Sequence, residues 1–377
     1  LLLAFAISPL FQGIQADVLA AIHILVLAVF FKVFLDSYKK FRIPYNFLSF
    51  AICLFYIWMA LSISWSPAPS ISLHIFVWLS IFPLCYFIYS LKRPGEWQYL
   101  PIGILFVTLI FALVGIGQSL FSDGPSRSLF LTRNTYGAML NLIALPVTAY
   151  VISPKPFSYR SSILWGIILF ILFFAGFQTG GKGSMVSLCL GLIIIFVTSW
   201  KYIENSSFIT VVIIVTVAFL VANIQTDGDA VHRLEESFVQ GEDPSLSARL
   251  LMWESAWQII KTSPIIGTGI GTLFIVFPAV RHPADHSSGN YLHNDYLQFW
   301  LETGFIGLCL IMFIMVVIST LFFRVLKYKN LLLHDRLEII GLISGLFAVA
   351  IHTLIDFHFY IIAILMVMGF MCARIQE

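Results

Sequence analysis

Charge is what this chain has least of. Asp, Glu, Lys and Arg make up 11% of 377 residues, and 21 basic side chains nearly balance 19 acidic ones for a formal charge of +2. No basic run with interleaved aromatics is present, which argues against nucleic acid or a strongly acidic partner. Cysteine is scarce too. Cys53, Cys85, Cys189, Cys309 and Cys372 all fall inside apolar runs, so they read as small core residues and carry no disulfide, redox or metal pattern. What fills the space is apolar: 59% hydrophobic residues, 16% aromatic, mean hydropathy +0.94. A soluble domain has only about half its residues apolar, so the composition is that of a polytopic membrane protein. Residue 1 is a leucine within an apolar run, so an earlier start is expected. No cleavable signal pattern is visible, and the first span is expected to target the chain.

A helix needs about 20 apolar residues, at 1.5 Å rise each, to cross the hydrocarbon core. Twelve runs read as spans, near 1–11 (truncated), 17–35, 46–64, 70–91, 97–121, 135–152, 161–179, 183–200, 207–224, 304–323, 336–355 and 358–374. The breaks between them carry turn residues: Pro9 and Gly13, Pro67 and Pro69, Pro94-Gly95, Pro154-Lys155-Pro156 and Gly180-Gly181. The expected architecture is therefore all-α, with about twelve transmembrane helices: about nine in 1–224, a large extracytoplasmic loop at 225–303, and three more in 304–377. Lys and Arg are retained on the cytoplasmic side of short loops. With both ends inside, fourteen of the 21 basic residues fall on cytoplasmic loops. Only Arg127, Arg133 and Lys182 fall on short outer loops, and the remaining four lie in the long loop.

Polar chemistry gathers in one stretch, HPADHSSGNYLHNDYLQFWLETGFIG, at 282–307. It holds three histidines, two aspartates and a glutamate on an otherwise apolar scaffold, where an ionisable group is costly unless it has a partner or a role. Upstream, residues 245–263 place Leu250, Leu251, Trp253, Trp257 and Ile260 at helical spacing. Ser245 or Ser247 can cap this helix, and Pro264 with Gly267 stops it. It is expected to lie along the membrane surface with its tryptophans at headgroup level. The G-T-G-I-G run that follows comes after a helix and faces outside, so a nucleotide loop is discounted.

The pattern R-x3-W-x3-W-x6-P-x2-G-x-G-x-G at 249–271, followed by H-N-D-Y-L-Q-F-W-L-E-T-G-F-I-G at 293–307, resembles the large extracytoplasmic loop of the bacterial O-antigen ligase and polymerase superfamily. These are integral-membrane glycosyltransferases that use polyprenyl-diphosphate-linked glycans. T-R-N-T-Y-G at 132–137 is similar to that family's R/N-N-x-x-G/A element, and Asp356-Phe357 is similar to its terminal D-F element. The resemblance runs from about 130 to 370. One departure stands out: Thr179-Gly-Gly-Lys-Gly183 replaces an S-x-S-R-G element, so Lys182 stands where an arginine is expected. Lysine keeps the charge and loses the bidentate fork.

The resemblance implies an undecaprenyl-diphosphate glycan donor, a lipid A-core or other glycan acceptor, the bacterial inner membrane, a periplasmic site, inversion at the anomeric carbon, and no cofactor. From the residues alone, Arg133, Lys182 and Arg249 are the outward-facing cations at span ends or on the interfacial helix, suited to bind a diphosphate and the charge that grows as it leaves. A sugar hydroxyl is a poor nucleophile at neutral pH, and His293 is the natural base; the corresponding family histidine is the one implicated in catalysis. Each has a structural competitor. His293 can cap the helix that starts at Asn294 or Asp295, Arg249 can snorkel, Lys182 can be a loop lysine, and Arg133 with Asn134 can be helix N-terminal residues. Tyr296 can stack on a sugar or sit in an interfacial belt. Glu302 reads as a locally paired glutamate, Gly304 as a site of close helix approach, and Asp356, between His352 and His358, as a local salt bridge or hydrogen bond. His282, Asp285, His286, His293 and Asp295 supply ligand types for zinc, but Pro283 and Ser287-Ser288-Gly289 argue for a loop, and no metal is expected there. A carrier for lipid-linked sugars needs polar or broken helices near the midplane in both halves. Here His23, His74 and Lys32 are the main midplane charges, and one-sided chemistry is favoured.

Overall fold

The computed structural model describes residues 1–9, 16–37, 46–91, 97–122, 125–153, 159–226, 228, 244–285, 287, 289–328 and 330–376. Gly13, Pro94-Gly95, Pro154-Lys155-Pro156, the loop cations Lys39, Lys40, Arg42, Lys92, Arg93, Arg233 and Lys329, His286, Ser288 and most of 227–243 lie outside the described residues. Every regular element among the described residues is helical. In chain order the main helices are α1 Leu2–Ile7, α2 Ala16–Ser37, α3 Phe47–Ser62, α4 Pro69–Leu79, α5 Ile81–Ser90, α6 Leu100–Phe121, α7 Arg133–Ile152, α8 Tyr159–Phe177, α9 Lys182–Ser199, α10 Asn205–Gln225, α11 Pro244–Ile260, α12 Asp295–Lys327, α13 Leu333–His352 and α14 Ile362–Arg374.

Among the described residues nine segments are long and apolar enough to cross a membrane, with α4 and α5 together forming the single length Pro69–Ser90. The chain is thus a multi-pass membrane protein. The other three expected spans coincide with helices of a different kind. α1 has six residues, α13 carries Asp335, Arg336 and Glu338 in its first turns, and α14 is thirteen residues long, entered through the 3-10 turn His358–Tyr360. Large apolar side chains such as Phe106, Phe121, Val197 and Ile224 point outward, as a surface facing lipid requires.

α7 is the central helix: 83% of the span Arg133–Ile152 is buried. Its start is fixed by Thr132, whose hydroxyl accepts from the Thr135 amide while Thr135 reaches back to the Thr132 amide, a reciprocal cap. α13 packs along α7 and also touches α9. In lipid, helices associate through close backbone approach at small residues more than through apolar burial. Here Gly341 and Gly345 provide that approach: a Cβ at Gly341 would lie 2.5 Å from the Ala149 Cβ, and one at Gly345 would lie 3.0 Å from the Leu142 carbonyl oxygen. This seam brings the end of α13 to the start of α7.

α12 is broken at Gly304, where φ is 72° and ψ is −178°. A broken helix frees carbonyls before the break and amides after it, and each needs a new partner. The glycine-rich segment after α11 supplies them. The Thr268 and Gly269 amides donate to the Leu301 and Glu302 carbonyls at 3.0 and 2.8 Å, and the Phe305 and Ile306 amides donate to Pro264 and Ile265 at 2.9 and 3.3 Å. The two backbones touch, since a Cβ at Gly304 would sit 2.1 Å from the Ile265 oxygen. We therefore expect Gly304→Ala to lower the thermal unfolding midpoint in detergent by several degrees, because the left-handed backbone alone costs a side-chain-bearing residue about 1–2 kcal/mol. Gly117→Ala, where nothing lies within 4 Å, should leave the midpoint unchanged or raised; equal midpoints for the two variants would refute this reading of the break.

Candidate functional site

The polar site is built at one end of the bundle, where the starts of α7, α9 and α12 meet the end of α13. Asn294 caps α12, its side-chain oxygen accepting from the Leu297 amide at 3.0 Å. The capping role is therefore taken, and His293 is free of it. His293 itself has φ 50°, a left-handed conformation rare for a residue with a side chain. Its neighbour holds it there. The Leu292 carbonyl accepts from the Trp253 indole at 2.8 Å, and the Leu292 amide donates to the Gln298 side chain at 3.3 Å. Trp253 thus ties α11 to the residue before the histidine. α11 packs inward with Met252, Ala256, Ile259 and Ile260, while Leu250 and Trp257 of the apolar face read from sequence are 53% and 44% exposed. The inward stripe packs on Leu273, Phe277, Leu292 and Leu301, residues of short turns, the loop and α12 that no local periodicity announces.

His293 meets Asp356. Its Nδ1 lies 3.2 Å from the Asp356 Oδ1, with the histidine side chain 31% exposed and the aspartate 1%. The Phe357 amide donates to the same Oδ1 at 3.0 Å, and the Asn134 amide donates to Oδ2. Burial alone would raise the Asp356 carboxyl. The hydrogen bond from His293, the largest of the opposing effects, helps to offset it and hold the carboxyl below the usual carboxylate range. The Phe357 ring packs edge-on against His293, with centroids 5.0 Å apart, and stacks flat on Tyr291 at 4.1 Å. Among the described residues, Nε2 is the His293 ring nitrogen that makes no hydrogen bond.

Lys182 opens α9 between two glycines that both touch the site. A Cβ at Gly181 would lie 2.9 Å from the Asn134 Oδ1, and one at Gly183 would lie 2.5 Å from the His352 Nε2. The Thr179 hydroxyl accepts from the Gly181 amide at 3.1 Å and shapes the turn. Arg133 is the first residue of α7, beside Asn134. Arg249 is close enough for its charge to bear on the His352 ring. The structure therefore gathers His293, Asp356 and Asn134 by direct contact, with Lys182, Arg133 and Arg249 around them. It assigns other work to the remaining expected residues. The Tyr296 hydroxyl donates to the Ala350 carbonyl at 2.8 Å. Glu302 is fully buried away from His293, and its partners extend well beyond the local pairing expected. It accepts from the Gly271 and Leu273 amides at 2.8 and 3.3 Å and from the Tyr360 hydroxyl at 2.9 Å, so it fastens the glycine-rich turn to the chain before α14.

Asp295 was not singled out from sequence as a site residue, yet it is fully buried. It accepts from the Thr353 hydroxyl and, at 2.8 Å, from the Phe359 amide, while its own amide donates to the Thr353 carbonyl at 3.1 Å. That clamps the start of α12 to the loop bearing Asp356. Among the described residues, the loop groups that offer zinc-ligand types have other partners. Asp285 is taken by Arg281 at 2.9 Å and by the Ser287 amide at 2.8 Å, and the His282 Nδ1 accepts from Ala284 at 3.2 Å. A different trio comes together: His352, Asp356 and His358, all buried, with one candidate ligand atom from each within 4.8 Å of the others. Neither ring nitrogen of His352 or His358 has a hydrogen-bond partner among the described residues; such a buried orphan costs about 1–3 kcal/mol. On the far face His334, Asp335 and Glu338 form a second, more exposed group.

Residues 167–312 match the O-antigen ligase family. That range includes Lys182, Arg249 and His293; Arg133, Asn134 and Asp356 lie outside it. An uncharacterized protein of Haemophilus influenzae is 26% identical over 216 residues, covering 50% of this chain and 51% of the relative. The exopolysaccharide production protein ExoQ of Rhizobium meliloti is 29% identical over 102 residues, 26% of this chain and 22% of the relative. The chain thus spans about half the length of the first relative and less of the second. The resemblance read from the motifs, to the O-antigen ligase and polymerase superfamily, is supported by both findings.

Asp295→Ala removes the clamp and leaves the Thr353 hydroxyl and Phe359 amide without their acceptor. A loss of about 2–6 kcal/mol is expected, at roughly 1–3 kcal/mol for each of the two stranded groups, read as a lower denaturation midpoint in detergent. Asp295→Asn, which keeps one acceptor oxygen, should recover part of it; no recovery at all would count against the hydrogen-bond account.

Proposed function

We propose that this protein is a glycosyltransferase of the O-antigen ligase type, moving a glycan from undecaprenyl diphosphate to a sugar hydroxyl of a lipid A-core acceptor at the periplasmic face of the bacterial inner membrane. The observation that carries the proposal is the hydrogen bond from His293 Nδ1 to the buried, ionised Asp356. With Nδ1 protonated and held, Nε2 is the basic nitrogen, in a ring that is partly exposed, and the aspartate stabilises the imidazolium that forms when Nε2 takes a proton.

The reaction then runs in one displacement. The acceptor oxygen bonds to the anomeric carbon as the bond from that carbon to the diphosphate oxygen breaks, and the configuration inverts. The hydroxyl proton passes to His293 Nε2, and the diphosphate leaves with the bonding electrons. Negative charge builds on the leaving group, so cations and dipoles aimed there lower the barrier. Arg249, Lys182 and Arg133 are assigned to it. The N-termini of α7 and α9, at Arg133 and Lys182, add partial positive charge at the same end of the bundle. Lys182 meets phosphate as a point charge where an arginine would offer a fork. Nothing in this step requires a metal.

Similarity to ExoQ, a protein named for exopolysaccharide production, favours one second reading, a polymerase that extends lipid-linked repeat units from the same donor. Transfer to protein Ser or Thr would use the same groups. The carrier reading is disfavoured because the polar contacts cluster at one end of the bundle.

The test is transfer by the purified protein in proteoliposomes, with undecaprenyl-diphosphate glycan and either a lipid A-core acceptor or no acceptor. Glycosylated core supports the ligase; a ladder of longer lipid-linked chains from donor alone supports the polymerase. Glycan lipid crossing the bilayer without transfer would overturn both. His293→Ala should lower the transfer rate by about 10²–10⁴-fold, the range for losing a general base, with insertion and donor binding intact. Arg249→Ala should instead weaken donor binding by about ten- to a hundredfold, as for losing a charge-assisted bond of about 1.5–3 kcal/mol. Full transfer by the His293 variant would remove the histidine from the mechanism.

A further inference from the structure

The pair of histidines on either side of Asp356 takes no part in the transfer step, and their surroundings are unusual. His352 ends α13, and His358 opens the 3-10 turn before α14. Both are buried, at 1% and 0% exposure, their rings meet edge-to-face with centroids 4.1 Å apart, and none of the four ring nitrogens has a hydrogen-bond partner among the described residues. Buried polar groups are nearly always paired, and an unpaired one calls for a ligand, an ion or an ordered water. Four such nitrogens, beside one carboxylate, form a donor set with nothing yet to bind. We infer that His352, Asp356 and His358 form a structural site for a divalent transition metal, with zinc the best match.

The ligand chemistry fits. Two imidazole nitrogens and one carboxylate oxygen are a borderline nitrogen and oxygen set of the kind zinc takes with three protein ligands. Imidazole binds a metal only when neutral, and burial disfavours its protonated form. The geometry is close. The three candidate atoms lie within 4.8 Å of one another, whereas tetrahedral ligands about 2.0–2.1 Å from zinc stand roughly 3.4 Å apart. Side-chain rotation closes a gap of that size. Asp356 already receives hydrogen bonds from His293, Asn134 and the Phe357 amide, and a carboxylate has about four lone-pair positions to share. The charge count is tolerable as well. Arg249 bears on His352 with the wrong sign, but zinc is held by three neutral histidines with no carboxylate in other proteins, and this trio includes one. Gly183 matters here because a side chain there would reach to 2.5 Å from the His352 Nε2; its absence leaves room for the ring.

The ion would lock the end of α13 to the start of the next turn and fix the carboxylate that orients His293. It would thus support the proposed base without entering the transfer step. The inference rests on that reading only for this consequence, because metal binding is measured separately from transfer.

The experiment uses full-length protein purified in detergent without chelator, dialysed against equimolar Zn(II), and read by elemental analysis, with Co(II) substitution as a spectroscopic probe. We expect about one metal per chain in the wild type and in His293→Ala, and tetrahedral Co(II) bands in both. His352→Gln and His358→Gln should lose at least tenfold in metal content and should lack the bands. Their unfolding midpoints in chelator should match that of the wild type in chelator, which separates loss of a ligand from misfolding. A wild type that stays metal-free, or histidine variants that bind as well as wild type, would overturn the inference. Failure of transfer in His293→Ala with metal retained would leave the two proposals distinguishable.

Discussion

The hydrogen bonds on Asp356 are what the rest of the site depends on. One buried carboxylate accepts hydrogen bonds from His293, from Asn134 and from the Phe357 amide, and so joins a loop, the start of the central helix and the turn before the last helix. Removing such a group strands polar partners in an apolar interior, whereas water could replace it at a surface. The aspartate's position is set in turn by the Asp295 clamp on Thr353 and Phe359, and by the glycine seam that lays α13 against α7. Packing deep in the bundle is thereby connected to one imidazole at its edge.

A second dependence runs through the break at Gly304. The freed backbone groups of α12 pair with the segment that follows α11, and the carboxylate of Glu302 pairs with the amides of Gly271 and Leu273. The glycine-rich motif is thus a structural splice. Because α11 is anchored at that end and through Trp253 to Leu292, the residue before His293 is held from both sides. A left-handed backbone at a non-glycine residue persists only where its surroundings over-determine it, and here they do.

Much of this was legible in the sequence, for identifiable reasons. Hydropathy reveals spans because no water solvates backbone inside a bilayer, and each of the nine helices long enough to cross overlaps an expected span. The three others differ because α1 and α14 are short and α13 carries charges in its first turns. His293, Asn134 and Asp356 stand out because polar residues are rare here. Their contacts do not, since 63 residues separate His293 from Asp356 and 222 separate Asn134 from Asp356. Local reading also paired Asp356 with its sequence neighbours, His352 and His358, whereas its hydrogen bonds come from His293, Asn134 and the Phe357 amide. The stripe of α11 that packs inward, Met252, Ala256, Ile259 and Ile260, was not read from sequence because its partners lie far along the chain.

The central claim is that Asp356 acts through His293, and a double-mutant cycle on the transfer rate tests it most directly. Rates would be measured for His293→Ala, Asp356→Asn and the double variant, all shown to insert and to bind donor. If the aspartate serves the histidine, the double variant is about as slow as His293→Ala alone, a coupling of the kind expected for groups that act as a unit. Losses that multiply would mean the two residues act independently, and the account of the site would be wrong.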